Sequence, residues 1–232
     1  LVLGGLFATY FVLMFHGLKT APPVSAAAVF TLTPVLSAIA GWFLLRQVTT
    51  PRMALALSIG AVGALWVIFR ADWQAFTAFQ INKGEVIYFW GCIAHAVYTP
   101  MVRKLNRGEP AVVFSFGTMV AGCLLLTIYA RSDIRDTDWA NLPMIVWVGL
   151  LYLSIFATAA SFVLVQFSAL RLPSAKVMAY TYLVPSWVIL WEIALGNGAP
   201  VALVLVGVAL TCVALLMLLR PEGPAGAVPV FK

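Results

Sequence analysis

The stretch AAAVFTLTPVLSAIAGWFLL, Ala26 to Leu45, is a nearly uninterrupted apolar run with Pro34 close to its middle. Proline removes one helical hydrogen bond and crowds the preceding turn, and in hydrocarbon no water replaces the lost bond. A second run, AKVMAYTYLVPSWVILWEIAL (Ala175 to Leu195), carries Pro185 in the same way. Two helices broken alike therefore need a common reason.

Composition gives the setting. Hydrophobic residues fill 63% of the 232 positions and charged ones only 9%, with a mean hydropathy of +1.01. A soluble domain is about half apolar and a quarter charged. This chain reads as an all-α polytopic membrane protein whose first partner is the lipid bilayer. The net charge of +6 lies scattered at helix ends and forms no basic face, so nucleic acid is not an expected partner. Cys92, Cys123 and Cys212 fall inside apolar runs, without the spacing of a disulfide framework or a metal site. No phosphate-binding glycine loop or other cofactor motif is present. The opening LVLGGLFATYFVLMFHGL has no basic flank and no Ala-x-Ala site, so it reads as a span and not a cleaved signal.

Apolar windows of about 20 residues can cross a bilayer. Eight are expected, at roughly 1–18, 24–45, 52–69, 84–103, 111–130, 142–169, 174–195 and 200–219. Between them RADWQAFTAFQINK places Trp73, Phe76 and Phe79 at helical spacing, as in a helix lying on the membrane surface. Connections after the even-numbered spans, with the tail, hold nine Lys and Arg; the other connections hold five. The positive-inside rule then puts the first set and the C-terminus in the cytoplasm, at the inner membrane.

Shifting the chain by 151 residues against itself lays Pro22 on Pro173, Ala28 on Ala179, Leu32 on Leu183 and Pro34 on Pro185. Fixed-period similarity signals duplicated architecture. The shift maps spans 1–3 onto spans 6–8, a period of five helices, which turns the copies upside down relative to each other. The expectation is eight helices of a ten-helix protein in two inverted five-helix repeats, with two helices preceding Leu1. Residues 1–70 would close the first repeat, 82–219 would form the second, and 220–232 would be a cytoplasmic tail. Paired broken helices in inverted repeats point to a solute path near the midplane.

The two stretches SAAAVFTLTPVLSAIAGWFLLRQVTTPRMALALSIGAVGALWV and SAKVMAYTYLVPSWVILWEIALGNGAPVALVLVGVALTCVALL, with GCIAHAVYTPMVRKL and IFATAASFVLVQFSALRLPSA, resemble EamA-type members of the drug/metabolite transporter superfamily. The resemblance spans essentially the whole chain. It implies ten helices in two inverted halves, cytoplasmic termini and movement of small solutes. The family often shows a glutamate ending each proline-containing helix; here Arg46 and Asn197 stand in those places.

His95 lies midway along its span and is the ionisable group expected at depth, where such groups tend to be functional. A neutral imidazole there either meets a solute or a coupling proton, or bonds a neighbouring carbonyl as a core residue. Tyr98 follows at i+3. Thr31 and Thr33 flank Pro34, and Tyr180, Tyr182 and Trp187 flank Pro185; hydroxyls and rings beside a kink suit a pocket for amphipathic solutes, or else helix packing. Thr158 and Ser161 are candidates of the same kind, although hydroxyls often bond back to their own helix. His16, Glu85 and Glu192 sit at outer helix ends and suit either a gate or snorkelling toward headgroups. Ala56, Gly60 and Ala64, with Gly207 and Thr211, read as close helix packing.

The expected function is secondary transport, in the export direction, of small organic metabolites such as amino acids or drug-like solutes, with protons as the candidate coupling ion and no oligomeric state indicated. The main rival is an intramembrane prenyltransferase using Asp133 and Asp136 of SDIRDTDW to hold Mg²⁺. That chemistry requires a second acidic cluster, and the sequence has none. A non-transporting scaffold or sensor is the remaining alternative.

Overall fold

Proline punctuates the helix starts. In the computed structural model, which describes residues 1–77 and 81–220, α2 (Pro23–Phe30) and α4 (Pro51–Ile68) each open with proline in the first turn. There the missing N–H would have had no helical partner anyway. Thr50 caps α4 by accepting from the Met53 N–H at 3.3 Å. The helix α6 (Lys83–Leu105) starts at a reciprocal capping box in which Asn82 and Glu85 accept from each other's turn. The other helices are α1 (Val2–Leu18), α3 (Thr33–Leu45), the short α5 (Trp73–Thr77), α7 (Ala111–Tyr129), α8 (Arg131–Asp136), α9 (Met144–Tyr152), α10 (Ser161–Ala169), α11 (Ser174–Met178), α12 (Val184–Ala194) and α13 (Val204–Leu219). A π-helical stretch, Leu153–Ala160, joins α9 to α10, and a 3₁₀ stretch, Ala179–Leu183, joins α11 to α12.

The count of crossings differs from the expectation. Among the described residues five helical stretches are long and apolar enough to cross a membrane: Pro23–Leu45, Pro51–Ile68, Ala111–Tyr129, Met144–Ala169 and Ser174–Ala194. This replaces the expected eight crossings in two inverted five-helix repeats. The terminal apolar runs form shorter helices, α1 (Val2–Leu18) and α13 (Val204–Leu219). The helix α6 has the length, 23 residues, but carries Lys83, Glu85, Arg103 and Lys104 at its ends and His95 within. In the expected surface helix Trp73 stacks on Phe76 at 5.2 Å, while Phe79 and the tail 221–232 lie outside the described residues.

Small residues set the packing. α4 lies against α13 with Gly63 and Gly207 back to back: a Cβ on either would come within 2.6–2.7 Å of the other's carbonyl oxygen. Gly17 of α1 and Gly84 of α6 approach in the same way. α7 closes on α1 where Gly4 meets Ala121 and Gly122. Without a hydrophobic drive between helices in lipid, such close backbone contact supplies the attraction. The expected packing role of Ala56 and Ala64 is what the structure has, both being fully buried. By contrast α9 and the π stretch have no buried residue, and their Leu, Ile, Val and Phe side chains point outward, as a lipid-facing helix requires.

The two proline stretches form the centre. α2 and α3 are the halves of one broken helix, and α11 and α12 the halves of another. α2 packs on α12 while α3 packs on α11, so the two run antiparallel and cross at their breaks.

Candidate functional site

Each break must dispose of its freed carbonyls. Pro34 has no N–H to offer the Phe30 carbonyl, and the Thr33 hydroxyl donates to it instead at 2.5 Å. The Thr31 hydroxyl donates to Ala28 O at 2.6 Å. Both threonines and Pro34 are buried, so these hydroxyls are committed to backbone. The second break is handled differently. Its backbone tightens to 3₁₀, so the Val184 N–H reaches the Thr181 carbonyl that Pro185 leaves free. Thr211 of α13 donates to Tyr182 O at 3.2 Å. Tyr182 is itself fully buried, its ring filling the space left by the absent side chain of Gly60.

Beside the crossing the structure gathers an aromatic group from four elements. His95 of α6 stacks on Tyr10 of α1, with ring centroids 4.5 Å apart, and lies 5.5 Å from Phe30 at the end of α2. Its Nε2 is 3.4 Å from the Tyr180 hydroxyl, on the 3₁₀ stretch of the second break. Phe30 also meets Tyr88 at 6.1 Å and Tyr180 edge-on at 6.4 Å. Tyr10, Phe30 and Tyr88 are buried, but Tyr180 keeps 43% of its surface open although it touches these rings. The side-chain polar atoms of the group belong to phenols and an imidazole, so it presents hydrogen-bonding edges on an apolar body.

The remaining sequence candidates fall elsewhere. Trp187 is 60% exposed and stands apart from the crossing's rings. Thr158 lies half-buried in the π stretch, and Ser161 donates to Ala157 O at 2.6 Å. Tyr98 is buried among Phe7, Phe162 and Met178. Of the gate candidates, Glu85 is buried and accepts the Asn82 N–H at 2.9 Å as part of its cap. Glu192 accepts from Asn197 at 3.4 Å, and His16 is exposed in the last turn of α1. Among the described residues no hydrogen bond joins these three. Arg46 adopts a left-handed backbone, φ 54°, that caps α3.

Sequence reasoning did not name Tyr10, Phe30, Tyr88 or Gln166. The first three look like ordinary apolar filler until tertiary contact brings them to His95. Gln166 did carry a signal: a lone amide in SFVLVQFSAL is costly at membrane depth.

Comparison with known proteins adds to this geometry. The EamA-like transporter family matches at residues 1–69 and 82–220. The chain belongs to the EamA-like transporter family. It is 25% identical over 189 residues to the uncharacterized transporter YyaM of Bacillus subtilis (strain 168), covering 82% of this chain and 61% of that protein. With the uncharacterized transporter YetK of the same organism it shares 22% identity over 173 residues, 74% of this chain and 52% of YetK. The chain thus spans about half to three-fifths of the length of these relatives. A protein crystal structure superposes with a TM-score of 0.69 at 21% identity, over 93% of this chain and 74% of its own, which shows the fold alone.

Membership in the EamA-like transporter family makes this a multi-pass membrane protein of a transporter and not an enzyme family. The prenyltransferase alternative falls with it. Asp133 and Asp136 are exposed on α8, Asp138 accepts from Asn141 at 2.7 Å, and among the described residues no group of three or more His, Cys, Asp or Glu could hold a metal ion.

Proposed function

We propose that this chain forms the solute-conducting body of a secondary transporter that exports small organic metabolites, such as amino acids or drug-like solutes, by alternating access. The observation that carries the reading is the crossing of two antiparallel helices, each broken at proline, beside the His95–Tyr180 contact. Irregular backbone at membrane depth is tolerated where it is held by protein or lines a cavity, and such breaks recur at transport sites. The open surface of Tyr180 at this depth supplies a wall for a solute. Thr31, Thr33, Pro34, Tyr182 and Pro185 hold the breaks in shape, while His95 and Tyr180 meet the solute. Residues 1–70 and 82–219 are the two bodies that move against each other, the C-terminus is cytoplasmic, and His95 takes the coupling proton.

Transport follows from differential solute affinity for inward and outward states, so the breaks act as joints between them. The test is uptake by proteoliposomes holding the full-length protein that contains this chain, with labelled amino acids, nucleosides and aromatic metabolites. Pro34→Ala returns a donor to the Phe30 carbonyl and straightens the helix, as Pro185→Ala does for Thr181. Saturable flux is expected in the wild type, reduced at least about tenfold in either variant while the melting temperature holds. A pH gradient should accelerate the wild type but not His95→Ala. Unchanged flux in both proline variants would remove the joint from the mechanism, and absence of any flux would favour a scaffold or sensor.

A further inference from the structure

Three helices, α6, α7 and α10, enclose a second polar group that the crossing does not use. Gln166 and Ser115 are fully buried, Tyr98 is 1% exposed and Thr118 is 6% exposed. The Tyr98 hydroxyl lies within electrostatic reach of the Thr118 and Gln166 side chains without meeting hydrogen-bond geometry with either. Yet Tyr98 Oη, Ser115 Oγ and both Gln166 Oε1 and Nε2 have no hydrogen-bond partner. Thr118 donates to Phe114 O at 2.9 Å, and Ser115 lies one turn from it on the same buried face of α7. The side chains packed around it are apolar: Phe7, Val102, Phe162 and Met178.

Buried polar atoms are nearly always paired, with protein or with ordered water, so a cluster of orphans calls for a partner from outside the side chains around it. Such a partner must be uncharged, since none of these four side chains carries a charge to offset one. It must also accept, from Tyr98, Ser115 and the Gln166 amide N–H, and donate, to the Gln166 carbonyl oxygen. A hydroxyl or a primary carboxamide does both. Tyr98 sits one turn along α6 from His95. A line of rings joins the two places: His95 to Tyr10 at 4.5 Å, Tyr10 to Phe11 at 5.2 Å, Phe11 to Phe7 at 4.6 Å, Phe7 to Phe162 at 4.5 Å and Phe162 to Tyr98 at 5.1 Å.

We propose that Tyr98, Ser115, Thr118 and Gln166 form an uncharged station for the hydroxyl or carboxamide end of a solute whose apolar part lies along Phe162 and Phe7. The assignment rests on the transporter reading above and narrows its solutes to neutral, hydrogen-bonding ones with an apolar body. A site built to hydrogen-bond a group rejects the analogue that lacks it, because its own buried polar atoms are then left unpaired.

The probes are 3-phenylpropanamide, 4-phenylbutan-2-one, which keeps the carbonyl but has no N–H, and 3-phenylpropanoate, which adds charge. Binding to the full-length protein in nanodiscs is measured by equilibrium dialysis against empty nanodiscs. The amide should bind at least about tenfold tighter than the ketone or the carboxylate. Tyr98→Phe, Ser115→Ala and Gln166→Leu should each shrink that preference, and Tyr98→Phe should leave the ligand-free melting temperature unchanged or higher. Equal binding of the three probes overturns the station, as does an amide preference that all three variants keep. A ligand-free melting temperature lowered in all three variants, with selectivity intact, would mark a structural network instead. If the amide preference behaves as expected but no solute crosses proteoliposomes, the transport reading fails and the station stands. Flux with no amide preference does the opposite: the station fails and transport stands.

Discussion

Thr33 supplies the donor that Pro34 removes. Its hydroxyl holds the Phe30 carbonyl at 2.5 Å in a fully buried position, so the break costs less than an unpaired proline kink would. Thr33→Val keeps the shape and orphans that carbonyl, and stability should fall by about 1–3 kcal/mol. Thr33→Ser should recover most of it. Thr127→Val is the control, since Thr127 bonds Cys123 O on an exposed face of an intact helix and should move stability little. Denaturant titration in mixed micelles reads all three. At this scale the sequence named His95, Tyr98, Thr31, Thr33 and Tyr180 as candidates, but the roles divided only in three dimensions. A hydroxyl one residue before proline looks the same whether it faces solute or backbone. Likewise the partners of His95 are 85 residues away in the case of Tyr180, beyond the reach of any local pattern.

Among elements, the α4–α13 contact and the two broken helices carry the architecture. Gly63 and Gly207 face each other's carbonyl oxygens so closely that one methyl group forces the backbones apart. Gly207→Ala should therefore destabilise by about 1–3 kcal/mol despite the better helix propensity of alanine. Gly117→Ala on α7, where nothing lies within 4 Å of the added Cβ, should be neutral or stabilising by up to about 1 kcal/mol. The same titration separates the two. Periodic small residues were readable in the sequence as packing faces. The number of crossings was not, because hydropathy windows blur helix ends. Proline and capping residues fix where a helix begins, and α13 starts only at Val204 although the apolar run opens earlier.

At the scale of the whole molecule one contact ties the two broken helices together away from their crossing. Gln47, just beyond the Arg46 cap of α3, accepts from the Ser174 N–H at the start of α11 at 3.2 Å, and its amide nitrogen is buried without a partner. Ser174 itself is 2% exposed. Gln47→Ala removes the side chain that accepts from that N–H and should loosen this end of the assembly. Labelling of Ser174→Cys by a water-soluble maleimide in membranes should then rise several-fold over the Gln47 background. Equal labelling would show that packing of α3 on α11 closes this end without the glutamine.

The membrane setting, the all-helical class, the paired breaks at Pro34 and Pro185 and the kinship with EamA-type transporters were all legible in the chain before any folding. They depend on composition and on chain-local chemistry, which proline and apolar runs display directly. Folding in three dimensions was needed to fix where each helix starts and stops and to cross the broken helices antiparallel. It was also needed to bring His95 to Tyr180 while leaving Gln166 and Tyr98 unpaired. Those outcomes depend on side chains far apart in the chain competing for the same space, and no local pattern records who wins.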